Sequence, residues 1–281
     1  MKNTKVISFI NLKGGVAKTT TTVGTALTLS SHFGKRVLVV DLDPQTNASI
    51  MLMGENAWHK INKNKATLAH LFKDMVEGTR NFSLENCLQE AVGLVGDAKT
   101  VDLLPSSIEL IDVQDKVATS TGKFHEIRPV EILKNATTNL LEKYDFVLID
   151  CPPNLDMITL NGLAISDGYI IPAIPDHLST YGIPQIFRTA RDFAKTYRTN
   201  LLEFGIVATK FRATNLHRNV LERLKNMDGM PKMFSSIFRE SVAVANMGEL
   251  RQMRTLKQKM GMEAHGEFVK FADEIIKRTD I

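Results

Sequence analysis

Hydrophobic residues in this chain fall into short, strongly apolar runs, separated by stretches whose apolar positions recur at helical spacing. Val6, Ile7, Phe9 and Ile10 make the first run, and residues 36–40, 101–104, 145–150, 168–174 and 204–209 make the others. Runs this short and this apolar fit strands buried on both faces, as parallel sheets require. The intervening pattern predicts a helix over 18–33, with Val23, Ala26, Leu27 and Leu29 toward the sheet and Gly34 as its C-terminal cap. Further helices are expected over 66–77, 84–91, from about Ile108, after Arg128-Pro129, over 179–199 and over 263–278. Residues between Gly54 and Lys65 read as a loop, with Trp58 and His59 either packing locally or meeting a partner. Strands alternating with helices predict a doubly wound α/β fold, its sheet mostly parallel with helices on both faces. No Pro/Gly/Ser-rich linker interrupts the chain, so a single domain over residues 1–281 is expected, ending in a basic helical region at about 179–281.

The most chemically informative stretch follows the first strand. Lys13-Gly14-Gly15-Val16-Ala17-Lys18-Thr19-Thr20 places a glycine turn between a buried strand and a helix start. Backbone N–H groups of such a turn, together with the helix N-terminus, form a phosphate cradle. In it Lys18 can reach the β- and γ-phosphates, and the Thr19 hydroxyl can ligate Mg²⁺. The strict P-loop pattern would need glycine at positions 12 and 17, where this chain has Leu12 and Ala17. If position 17 needs positive φ, alanine there costs on the order of 1 kcal/mol. Two carboxylate sites accompany the cradle. Asp41-Leu42-Asp43-Pro44-Gln45 ends the second strand, and Asp150 ends the run Phe146–Ile149, the arrangement in which a carboxylate holds a water on Mg²⁺.

With Lys13 just ahead of the glycines, the run resembles the deviant Walker A motif, K-G-G-x-G-K-T, of the ParA/MinD ATPases, and most closely the ParA (Soj-like) partition branch. Asp41-Leu42-Asp43-Pro44-Gln45 and Asp150-Cys151-Pro152-Pro153 match that family's further signatures, and Val101–Leu104 with Pro105-Ser106-Ser107 its third strand and serine turn. The resemblance implies a P-loop NTPase-like fold, ATP and Mg²⁺ as ligands, and a Lys13 that crosses a dimer interface to the partner's phosphates. It also implies that Asp43 places the attacking water or the metal shell, with Asp41 in support. Loops after the strands at 168–174 and 204–209 hold the base in relatives, so Pro175, Thr209 and Lys210 are candidate base contacts.

Charge divides the chain. Residues 1–178 carry 17 Lys and Arg against 20 Asp and Glu, whereas residues 179–281 carry 18 against 11. This asymmetry predicts a basic C-terminal face and a polyanionic partner. Its candidates are Arg188, Arg191 and Arg198 on one helix with Lys195, then Arg212, Arg218 and Arg223, and later Arg239, Arg251 and Arg254. No interleaved aromatics, helix-turn-helix or zinc module is visible, so contacts to double-stranded DNA would be to phosphates, without sequence readout. Cys87 and Cys151 form neither a disulfide framework nor a metal spacing, which fits a reducing cytoplasm, and none of the seven histidines reads as a metal ligand. The chain has no run of 18 apolar residues, and its first strand begins almost at Met1, without a secretory signal or the N-terminal DNA-binding extension of some plasmid relatives.

The resemblance, beside the basic C-terminal part, implies a cytoplasmic, nucleoid-associated partition ATPase, weak without its partner. ATP would close two subunits into a sandwich homodimer that binds DNA nonspecifically, and a ParB-like protein would stimulate hydrolysis. Two alternatives share the chemistry: a ParA-like ATPase that positions a protein cargo, and a MinD-like membrane regulator using the 263–278 helix. That helix mixes acidic and basic residues on its polar face, so packing on the core is expected and stable membrane association is not.

Overall fold

A computed structural model describes residues 4–119, 128–227, 229–241, 246–248 and 251–280, and Met1-Lys2-Asn3 lie outside them. Seven strands, β1 (Lys5–Phe9), β2 (Val37–Asp41), β3 (Val101–Leu104), β4 (Phe146–Asp150), β5 (Gly168–Ala173), β6 (Leu202–Phe211) and β7 (Met233–Arg239), form one sheet in the order β3-β2-β4-β1-β5-β6-β7. Every neighbouring pair is parallel. The chain winds first toward β3 and then toward β7, so the crevice beyond the C-terminal ends of the strands lies beside β1.

Alternation along each strand divides the core in two. Val6, Leu38 and Val40 pack on one face under α7 (Ile132–Leu141), α8 (Met157–Ile165), α9 (Ser179–Tyr197) and α10 (Asn215–Lys225). Ile7, Phe9, Val37 and Val39 pack on the other, under α1 (Lys18–Ser31), α11 (Leu256–Met260) and α12 (Met262–Thr279). Gly24 lets α1 meet α12, because a Cβ there would stand 2.3 Å from the Phe268 ring. The apolar stripe of α12 is spent in this contact: Phe268, Phe271, Ala272 and Ile275 are buried, with Phe271 edge-on to Phe234 of β7. The expected core packing is what this helix does. No helix among the described residues is long and apolar enough to cross a membrane.

Three local expectations fail. Residues expected to loop between Gly54 and Lys65 form α3 (Glu55–Lys63), which follows α2 (Asn47–Met53). Glu55 in its first turn and Lys60 and Lys63 in its last complement the helix dipole, although none of its residues is buried. The helix expected over 84–91 stops at Cys87: α4 (Leu68–Glu77) is followed only by a single turn, α5 (Leu84–Cys87). Gln89 then pairs in both directions with Leu103 of edge strand β3, at 2.9 and 2.8 Å. Covering an open sheet edge outweighs continuing a short helix. Finally, the C-terminal region is not wholly helical, because β7 closes the sheet on that side. Its buried and exposed residues alternate as an edge strand's do. The helix expected from Ile108 is α6 (Leu110–Thr119).

Candidate active site

Residues 10–17 leave β1 and cross the crevice as a loop held from several sides. Asn11 donates from Nδ2 to the Pro172 carbonyl at 2.7 Å and accepts the Lys13 amide at 2.9 Å. Thr209 Oγ1 donates to the Val16 carbonyl at 2.9 Å, fastening the loop to β6. Gly15 has φ +74°, and Ala17, which caps α1, sits in the left-handed region at φ 64°, ψ 31°. Position 17 therefore has the conformation glycine favours, and alanine pays for it. A Cβ at Gly14 or Gly15 would meet nothing within 4 Å, so the loop faces open space.

That space is a cavity of about 580 Å³, lined by Gly14, Gly15, Ala17, Lys18, Thr19, Thr20 and Thr21 on one side and by Asp43, Gln45, Asn47, Met51 and Pro153 on another. Lys18 is only 7% exposed, and its Nζ donates to the Lys13 carbonyl at 3.4 Å. Burial lowers its pKa, against the pull of Asp150 and Asp43.

Two carboxylates, Asp150 and Asp43, bear on this ammonium, and Asp41 lies beside them. Asp150, fully buried, accepts the Thr22 hydroxyl on Oδ1 at 3.4 Å. Among the described residues its Oδ2 has no hydrogen-bond partner, and burial, then Asp41, pushes the carboxyl well above its ordinary value against the Thr19 hydroxyl. Asp43 is raised by burial, which outweighs the Gln45 amide donating to it at 2.9 Å and the charge of Lys18. Asp41 is pushed up to about 7 by burial, against hydrogen bonds from Ser49. So much buried, under-compensated negative charge beside an orphaned carboxylate oxygen fits a hard cation. Among the described residues no group of three or more His, Cys, Asp or Glu side chains is arranged to hold a metal alone. The fit is to Mg²⁺, which keeps waters and phosphate oxygens beside one or two carboxylates.

The structure gathers most of the expected site. Thr209 and Lys210 line the cavity, and Val16 is buried beneath the loop. Pro175 does not line it: this buried residue belongs to the loop after β5, whose neighbour Asp176 is ion-paired with the Lys13 ammonium. Sequence reasoning missed the far wall, made by Phe238, Arg239, Glu240 and Ser241 at the end of β7. Recognising β7 as a parallel strand would have found it, since C-terminal strand ends face the crevice.

The basic residues are not one face. Arg188 and Arg191 share α9 with Lys195 and line a second groove of about 320 Å³, whereas Arg198 lies past the helix end at φ 54°. Arg218 and Arg223 are exposed on α10, on the same side of the sheet. Arg251 and Arg254, also exposed, flank α11 on the opposite side. Arg191 is ion-paired with Glu203, Arg212 with Glu240, and Arg239 with Glu263 and Glu267. Arg239 thus lies at the cavity wall, ion-paired with two glutamates. Counting charge along the chain cannot register that α9 and α11 cover opposite sheet faces.

A family model described as an AAA domain matches residues 4–203. The chain is 33% identical over 227 residues to the sporulation initiation inhibitor protein Soj of Bacillus subtilis, covering 79% of each. It is 30% identical over 242 residues to the chromosome-partitioning ATPase Soj of Treponema pallidum, covering 86% of this chain and 85% of that one. Among solved structures, a cobyrinic acid a,c-diamide synthase from Mycobacterium smegmatis with bound ADP and magnesium superposes with a TM-score of 0.73 at 26% identity, over 99% of this chain and 96% of that one.

Proposed function

The chain belongs to the ParA/MinD-type family of P-loop ATPases, and from that premise we propose that it is an ATP-dependent partition ATPase acting on DNA. The observation that carries this reading is Lys18, buried beneath a glycine-opened loop within the electrostatic reach of Asp150, a buried carboxylate with one oxygen unpartnered among the described residues. Gly14, Gly15, Lys18, Thr19 and Thr20 would hold the phosphates of ATP, and Thr19, Asp150 and Asp43 the Mg²⁺ with its waters. Bound Mg²⁺ supplies charge neutralisation on the phosphate oxygens.

This chain's residues do the rest. Lys18 presents its ammonium to the terminal phosphates, and the cradle's amides hold them in line. Asp43, kept in place by the amides of its own loop, orients the attacking water. Lys13 leaves Asp176 and reaches into the site of a second subunit, so dimerisation depends on the charge it finds there. Thr209, Lys210 and the end of β7 enclose the base. Arg188, Arg218 and Arg223, which have no carboxylate partner among the described residues, supply phosphate contacts to double-stranded DNA, and pairing two subunits multiplies those contacts as avidity. A ParB-like partner accelerates hydrolysis, and the protein works in the cytoplasm on the nucleoid.

Gel filtration with ATP, ADP or no nucleotide, with and without nonspecific duplex DNA, tests this. The expected result is a dimer with ATP only, and DNA retention only under the same condition. A single species under all conditions, without ATP turnover, would overturn it.

A further inference from the structure

The carboxylates of the site are tied to the surface by one chain of hydrogen bonds. Asp41 ends β2 and is fully buried. Its Oδ1 accepts the Asp43 amide at 3.1 Å, while its Oδ2 accepts the Ser49 amide at 2.9 Å and the Ser49 hydroxyl at 2.6 Å. The Ser49 oxygen accepts the Ser106 amide, just beyond β3, at 2.9 Å. The Ser106 carbonyl then accepts the indole N–H of Trp58, on α3, at 3.0 Å.

We propose that Ser49 is a positioning residue for ATP hydrolysis, and that through it and Ser106 the surface helix α3 sets where Asp43 sits. The proposal rests on the ATPase reading above and adds to it a part for residues 47–63. Three features carry it. First, the Ser49 hydroxyl is the one group that joins the ends of β2 and β3 in this chain of bonds, donating to one and accepting from the other. Ser49 is itself fully buried, so removing the oxygen leaves the Asp41 carboxylate and the Ser106 amide each short of a partner. Second, Asp43 depends on this support: its amide bonds to Asp41, and the turn that follows passes through Thr46 at φ 59°, a strained conformation that persists only when its surroundings hold it. Third, no residue of α3 is fully buried, and the Trp58 indole ties the helix to the backbone just beyond β3. A shift of α3 would be passed to Ser106 through that bond.

The test compares the wild-type chain with Ser49→Ala, Ser49→Thr and Trp58→Phe, by steady-state ATPase assay and by hydrogen exchange on the nucleotide-free protein. Ser49→Ala is expected to lower kcat by about ten- to a hundredfold, with KM for ATP changed less than about threefold. In the same variant the amides of Asp43 and Ser106 should exchange faster. Ser49→Thr, which keeps the hydroxyl, should restore both. Trp58→Phe, which keeps an aromatic ring but loses the N–H and part of the indole's volume, should lower kcat by a smaller factor, about threefold. Wild-type kcat and exchange in Ser49→Ala, or a loss confined to KM, overturns the proposal while leaving the ATPase reading intact. A wild-type chain without ATP turnover overturns the reading and the proposal together. Should Ser49→Ala fail to fold, Trp58→Phe decides, and unchanged kcat and exchange in that variant reject the relay.

Discussion

The Lys13 ammonium is ion-paired with the Asp176 carboxylate, joining the loop after β1 to the loop after β5 within one subunit. Burial pushes the Asp176 carboxyl up, but hydrogen bonds from Lys13 and Ser179 outweigh it and hold the group below its ordinary value. The pair is intact at neutral pH, and a Lys13 that serves a second subunit must first give it up. Because both groups are partly exposed, that exchange costs only about 0–1 kcal/mol. Replacing Lys13 with alanine should leave ATP binding measurable by calorimetry and abolish ATP-dependent dimers in sedimentation. Because each sandwich dimer gives up two such pairs, Asp176→Asn should let dimers form at concentrations up to about thirtyfold lower. Persistent dimers in Lys13→Ala would remove the crossing role.

Asp43 is expected to separate binding from turnover. Asp43→Ala should accumulate an ATP-bound dimer while phosphate release falls by about a hundredfold or more. Turnover at the wild-type rate would assign the water to another group.

Ala17 offers a test of backbone strain. At φ 64° its Cβ is unfavourable, and Ala17→Gly should stabilise the ligand-free protein by about 0.5–1 kcal/mol, less the entropy glycine regains in the unfolded chain. Urea unfolding measures the difference, and nucleotide affinity should be equal to or tighter than that of the wild type.

Stability should also depend on pH in a particular direction. Asp41 titrates near 3.8 when unfolded and near 7 when folded, so the folded chain holds the extra proton between those values. Its contribution therefore declines as pH rises from about 4 to 7, by at most about 1.4 kcal/mol per pH unit for a single group. Asp150, raised in the same sense, adds to the decline. Thermal unfolding of the ligand-free protein should show a melting temperature that falls over this range. Asp41→Asn should flatten the profile, and Mg²⁺ with ATP should flatten it as well, by neutralising both carboxylates.

DNA binding should separate the arginines into two sets. Arg188→Glu and Arg223→Glu should weaken binding to any duplex and reduce the salt slope by about 0.9 for each lost contact. Arg191, Arg212 and Arg239 already face Glu203, Glu240 and the Glu263–Glu267 pair. Their replacement by glutamine should change affinity little. Filter binding across a salt series distinguishes the sets, and an affinity independent of salt would reject phosphate contact.

Much of the site was legible before any coordinates. The strands ending at Asp41 and Asp150, the glycine turn and the start of α1 each announce themselves within a few residues, because burial on both faces demands an unbroken apolar run and a phosphate cradle demands glycine beside a helix N-terminus. α3 was missed because none of its residues is fully buried and its apolar face is only Ala57, Trp58 and Ile61, too short to stand out in the chain. β7 was missed because it alternates as a sheet edge does and sits within a basic stretch.

From the sequence alone come the identity of the cradle, the charges around it and the alternation of strands with helices, since each is a property of neighbours along the chain. Tertiary structure alone decided that Lys13 meets Asp176, that Ser49 bridges Asp41 to Ser106, that the end of β7 walls the cavity, and that the basic residues divide between two sheet faces. Those facts depend on strand order and on which side of the sheet each crossover takes, and a local pattern records how buried a segment is without recording what buries it.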